Sequence, residues 1–151
     1  MAPGINSKMN EVQAAMGLLQ LKTINENIEK RKIVANTYRE LLKDVKGISM
    51  LPEPQETVSN YAYFPIFVNE QAYGMSRDAL YEKLKQNNIF GRRYFYPLIS
   101  EFSMYRGLES SAPEHLPVAH KMANEVICLP IYPELDKIKI IEIAKLISTK
   151  E

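Results

Sequence analysis

The sequence has no tryptophan, a single cysteine, two histidines and no preponderance of charge of either sign. One cysteine, Cys128, excludes an internal disulfide. Its neighbours Val126, Ile127 and Leu129 make it a small buried hydrophobe in a reducing compartment rather than a catalytic thiol. His115 and His120 stand apart, with no cysteine or carboxylate at ligand spacing, so no metal site is expected. The net charge of +1, mixed along the whole chain, gives no general electrostatic reason to expect nucleic acid or an anionic membrane as partner. No run is long and apolar enough to span a bilayer, and Met1-Ala2-Pro3-Gly4 opens no basic-then-apolar leader; the cytoplasm is the simplest location. Repeats, a phosphate-cradling glycine loop and a nucleophile elbow are likewise missing.

What the chain does have is ordinary globular composition, 46% hydrophobic and 25% charged over 151 residues, which is enough for one packed domain. Asn10 with Gln13 three residues on is a helix cap, and Val12, Ala15, Met16 and Leu19 recur on one face after it. A longer helix carries Ile24, Ile28, Ala35, Tyr38, Leu42 and Val45 inward and stops near Gly47. Leu51-Pro52-Glu53-Pro54 is a prolyl connector, and Tyr61 to Val68 is a strand whose Pro65 suggests an edge or a bulge. Ser76 caps a helix with Ala79, Leu80, Tyr81 and Leu84 inward, ending near Asn87-Asn88 before a short strand at Ile89-Phe90-Gly91. Residues 100–117 read as loop with one irregular turn. A helix over Val118 to Glu125, a buried strand over Val126 to Leu129 and a closing helix marked by Ile138, Ile141, Ala144 and Ile147 complete the order. The expected fold class is therefore α/β (α+β), a small mixed or antiparallel sheet covered by helices.

Two segments carry polar chemistry. Gly91 is followed by Arg92-Arg93-Tyr94-Phe95-Tyr96-Pro97, where guanidinium forks suit phosphate or carboxylate and tyrosines can stack on a base or bond a sugar. The same residues also suit a plain surface strand with an aromatic inner face and its arginines paired to Asp or Glu. Gly4-Ile5-Asn6-Ser7-Lys8-Met9 leads into a helix start where backbone donors and Lys8 can hold an anion, or where an ordinary cap simply begins.

The run from Gly4 to Leu21, with its Asn6, Lys8-Met9, Glu11 and Gln13-Ala14-Ala15-Met16-Gly17-Leu18-Leu19-Gln20-Leu21, closely resembles a signature of the DegT/DnrJ/EryC1/StrS sugar aminotransferases. The resemblance continues through Arg31, Tyr38, Arg93-Tyr94-Phe95-Tyr96-Pro97-Leu98 and Cys128-Leu129-Pro130-Ile131-Tyr132-Pro133, so it covers essentially the whole chain. It implies the small C-terminal domain of a fold-type I transferase dependent on pyridoxal phosphate, preceded by a long helical segment. Residues 1–151 would form a single C-terminal domain, with 1–46 a helical interface segment and 47–151 a small α/β domain. The family's Schiff-base lysine lies in a preceding domain and no lysine here stands in its motif, so the chain alone is expected to be inactive. By the same resemblance Asn6 contacts the phosphate of the cofactor in a neighbouring subunit, while Lys8, Arg92, Arg93, Tyr94 and Tyr96 lie on the substrate side. Lys8 stands where many relatives have arginine, and Arg93 where they often have histidine.

The implied reaction of the complete homodimer is transfer of an amino group, commonly from glutamate, to a ketone on a nucleotide-linked deoxysugar, as in cell-surface polysaccharide biosynthesis. The competing reading is a non-catalytic nucleotide- or protein-binding module built on the same fold. The start at Gly4-Ile5-Asn6, inside the family's signature, favours a fragment of the enzyme. The helix from Met9 to Leu21 is read both as a core helix and as an interface helix that positions Asn6.

Overall fold

A computed structural model describes residues 7–53 and 55–149. Helix α1 (Glu11–Leu21) begins with the expected reciprocal cap: Asn10 Oδ1 accepts from the Gln13 backbone at 2.9 Å and Gln13 Oε1 from the Asn10 backbone at 3.0 Å. Helix α2 (Ile24–Leu42), strands β1 (Ile48–Met50) and β2 (Phe64–Val68), a short helix α3 (Glu70–Tyr73) and helix α4 (Arg77–Gln86) follow. Three short 3-10 turns fill the stretch read as loop, at Ile99–Glu101, Glu109–Ser111 and Pro113–His115. Helix α5 (Pro117–Glu125), strand β3 (Val126–Leu129) and helix α6 (Lys137–Ser148) close the described chain.

The sheet is antiparallel in the order β1-β2-β3, so β2 is central and the expectation of an edge or bulge at Pro65 is wrong. The register explains how a proline is tolerated there. Pro65 faces Cys128, but the Cys128 amide and carbonyl both bond Arg92, at 2.8 and 2.9 Å. The Pro65 nitrogen therefore looks towards the β1 flank, where the ladder has already ended at the Met50–Ile66 pair, and no donor is missed. The strand also starts later than expected, at Phe64, because Tyr61 lies in the left-handed region with φ 49°. Strand β1 and helix α3 were not anticipated, and the strand expected at Ile89-Phe90-Gly91 is reduced to one bridge, Arg92 to Cys128.

Alternation along β2 sorts the sheet into two faces. Phe64, Ile66 and Val68, joined by Ile127 and Leu129, pack under α2, α4 and α6, where Tyr38, Leu42, Leu80, Leu84, Ile143 and Ile147 are fully buried. Two phenols in this core are satisfied by carbonyls: Tyr38 donates to Pro130 at 3.2 Å and Tyr73 to Ile147 at 2.6 Å. Gly47, with φ 83°, makes the turn into β1 because a Cβ there would meet the Tyr73 backbone nitrogen at 2.3 Å. Pro65, Phe67, Val126 and Cys128 point the other way, towards α5.

Four expected faces shift. In α4 Ala79 is exposed, while Arg77 is buried beside Leu80 and Leu84. In α6 the buried residues are Ile140, Ile143, Ala144 and Ile147, while Ile138 is 80% exposed. In α2 the core begins at Val34; Ile24 is exposed and the helix ends before Val45. In α1 no residue is buried at all, so this helix belongs to no core within the described chain.

Candidate substrate pocket and the arginine loop

The loop after α4 passes close under the sheet. Gly91 is buried, and a Cβ on it would lie 3.0 Å from Ile127 Cδ1, so glycine lets the backbone reach β3. Arg92 then exchanges both backbone hydrogen bonds with Cys128, and the next five residues leave the sheet. Their side chains part to two sides. The sequence offered one cluster; the structure separates it into two.

On the first side stand Arg92, Tyr94 and Tyr63. Arg92 Nη1 donates to the Tyr94 hydroxyl at 3.2 Å, and the Tyr63 and Tyr94 rings lie 4.9 Å apart at 57°. Phe95 meets Tyr94 edge-on at 4.9 Å. The Arg92 bond, then a bond with Tyr63, draws the Tyr94 phenol below the ordinary tyrosine range, while the bond to Tyr94 raises that of Tyr63. A cavity of about 340 Å³ opens beside them, lined by Tyr63, Arg92, Cys128 and Tyr132 among others. Burial pushes the Cys128 thiol up, in keeping with a packing residue rather than a nucleophile. A planar cation beside tyrosine hydroxyls and ring faces is suited to a phosphate-bearing ligand with an aromatic base.

On the second side the arginine is engaged. Arg93 Nη1 donates to Asp78 Oδ1 at 3.1 Å, and its guanidinium lies 4.7 Å from the Tyr81 ring and 4.8 Å from the Tyr96 ring. Arg77, 3% exposed, places Nε 2.8 Å from the same Asp78 oxygen and donates from Nη1 to the Val126 carbonyl at 2.8 Å. Its guanidinium is 5.3 Å from Tyr96. Arg93 and Tyr96 thus take the alternative read from sequence, an arginine paired to a carboxylate and packed on rings.

Lys8 is exposed just ahead of α1 and does not line the cavity. Asn6 lies outside the described residues. Sequence reasoning missed Tyr63, Tyr132, Arg77 and Asp78. For Arg77 a signal existed: a cation in the first turn of a helix opposes the helix dipole, so an arginine directly after the Ser76 cap is there for another reason. Among the described residues no group of histidine, cysteine or carboxylates is placed to hold a metal, and no helix is long and apolar enough to cross a membrane.

This fold, a small antiparallel sheet under helices, is shared with part of solved sugar aminotransferases. A crystal structure of DesI in the presence of its TDP-sugar product matches with a TM-score of 0.88 and 32% identity, over 96% of this chain and 36% of that one. The chain belongs to the DegT/DnrJ/EryC1/StrS aminotransferase family, whose model matches residues 1–148. It is 52% identical over 149 residues to the dTDP-4-amino-4,6-dideoxy-D-glucose transaminase of Escherichia coli, which takes in 99% of this chain and 40% of the relative. The enzyme of the same description from Shigella dysenteriae is 42% identical over 132 residues, 87% of this chain and 35% of the relative. The chain therefore spans 35–40% of the length of these two relatives.

Proposed function

We propose that this chain supplies the substrate-facing part of a sugar-nucleotide aminotransferase that uses pyridoxal phosphate, and that its substrate is a dTDP-linked keto-sugar aminated from glutamate. The observation that carries the reading is the Arg92-Tyr94-Tyr63 group beside the 340 Å³ cavity. Arg92 would meet the diphosphate as a fork, and Tyr63 and Tyr94 would meet the base or sugar. The names of the two relatives above support the dTDP-sugar class.

The described residues do not by themselves fit the cofactor. The cavity is lined by one cation, Arg92, and by no lysine that would carry pyridoxal phosphate. In this reading the carrying lysine lies outside the chain, and Asn6 reaches the cofactor phosphate of a partner subunit. When bound, the cofactor supplies the electron sink for amino transfer. Of the expected 1–46 interface segment, α1 serves as the interface of a homodimer, while α2 packs into the core of the small α/β domain with 47–151. The apolar surface of α1, with Val12 73%, Leu18 65% and Leu21 65% exposed, supports that role. Lys8 sits at the substrate entrance, and Cys128 is consistent with a reducing cytoplasm.

Two measurements test the reading. Mixing the chain with pyridoxal phosphate, reducing with borohydride and weighing the product should give no lysine adduct above that of a control protein. A stoichiometric adduct at one lysine would overturn it. Replacing the matching 149 residues of the Escherichia coli relative by this chain should preserve transamination of the dTDP-4-amino-4,6-dideoxy-D-glucose couple. A chimera that dimerises and binds the cofactor yet transfers no amino group would favour the non-catalytic binding module instead.

A further inference from the structure

The loop that presents Arg92 and Tyr94 has few regular hydrogen bonds of its own between Arg92 and Leu98, yet two aromatic and two cationic side chains on it take defined places. Their order comes from outside the loop. Asp78 Oδ1 is shared by Arg93 Nη1 at 3.1 Å and Arg77 Nε at 2.8 Å, and both guanidiniums lie near the Tyr96 ring. Arg77 is anchored in turn on the Val126 carbonyl, at the start of the strand whose Cys128 holds Arg92. Two guanidiniums this close repel unless a carboxylate lies between them, and Asp78 is the carboxylate that both approach.

We propose that Asp78 is a positioning residue: by joining Arg77 to Arg93 it fixes Arg93 and Tyr96 on the α4 side and thereby turns Arg92, bonded to Tyr94, towards the 340 Å³ cavity. The assignment rests on the reading of that cavity as the nucleotide site. Arg93 lies between Arg92 and Tyr94 in a short segment that turns at residues 94–95, so holding Arg93 and Tyr96 on the α4 side limits where Arg92 and Tyr94 can go. Asp78 touches no substrate and acts through the loop. Its side chain is 59% exposed, so its replacement does not open the core, whereas Arg77 is buried and its loss leaves the Val126 carbonyl unpaired.

The test is amide hydrogen exchange and thymidine diphosphate titration on the same three proteins: the unaltered chain, Asp78→Asn and Asp78→Glu. Asp78→Asn should raise exchange of the hydrogen-bonded Arg92 and Leu98 amides at the two ends of the loop about 10-fold, the effect of losing a charge-assisted hydrogen bond, with no change in α6. Its dissociation constant for thymidine diphosphate should rise by a similar factor, and Asp78→Glu should recover part of both. Unaltered exchange of these two amides overturns the proposal, and so does faster exchange with undiminished affinity. If the unaltered chain binds no thymidine diphosphate, the nucleotide reading of the cavity fails, while the exchange data still decide whether Asp78 orders the loop.

Discussion

The two faces of the three-stranded sheet carry the same kinds of residue and meet different fates. One face is sealed: Ile66 and Ile127 are wholly buried beneath α2, α4 and α6. The other, where Pro65 and Phe67 lie beside Val126 and Cys128, borders a cavity of about 400 Å³ between α5 and the Tyr94-Phe95 stretch. A sealed face stabilises by excluding water over its whole area, and an incompletely covered one forgoes part of that gain. The arginine-tyrosine loop stands against the second face. Stability and recognition are thus divided across a sheet only one residue thick.

The largest effect is expected where the sealed face is broken. Ile127→Ala removes a fully buried side chain between β2 and the helices, and urea unfolding should show a loss of about 2–5 kcal/mol. A substitution at the turn into the same face comes next. Gly47→Ala forces a Cβ against the Tyr73 backbone at a φ of 83°, and the expected cost is about 1–3 kcal/mol by the same measurement. On the incompletely covered face, Phe67→Ala deletes a larger side chain that is only half buried, and the expected loss is smaller, about 1–2 kcal/mol. Equal losses at Phe67 and Ile127 would erase the distinction between the faces.

How far this division was legible in the sequence differs by element. The caps at Asn10 and Ser76 were readable because a side chain and an amide three residues on decide them locally. The buried run Val126 to Leu129 was readable because every residue in it is apolar. The inward face of α6 was read correctly at Ala144 and Ile147 and missed towards its start, by following a spacing of three from the exposed Ile138. Steps of three fall behind a 3.6-residue turn, and the buried set instead alternates three, one and three, from Ile140 through Ile143 and Ala144 to Ile147. Pro65 was visible, but which way its nitrogen faced depended on a register set by Cys128, more than sixty residues away in sequence. The cavity escaped for the same reason, since Tyr63, Arg92 and Tyr132 come from three separate segments. The paired arginines were visible as a cluster. That one of them is held by Asp78 followed only from the packing of α4 against the loop.

The smallest effect on folding is expected at Arg92, and it sharpens the comparison most, because it separates ordering from stability. Arg92 is exposed and its side chain contacts the loop rather than the core, so Arg92→Ala should change stability at neutral pH by no more than about 0.5 kcal/mol. The substitution should be seen instead in the titration of Tyr94. The Arg92 donor favours the phenolate, so Tyr94 ionises below the usual value near 10, and deleting the guanidinium should move it upward. The sign for stability follows. A depressed tyrosine adds stability only above its unfolded value, in alkali, and that gain vanishes as pH falls through its folded value. Tyr63, raised by the same hydroxyl pair, acts oppositely: it favours the fold below the unfolded value and loses that contribution as pH climbs past its folded value. The two act in different pH windows, and the part that depends on Arg92, through Tyr94, belongs to alkaline pH rather than to neutrality. Carbon-13 chemical shifts of labelled tyrosine rings would resolve the residues separately. An unmoved Tyr94 in Arg92→Ala would mean that Arg92 does not hold the phenol in solution, and that the cavity's cation and Tyr94 are independent features of this face.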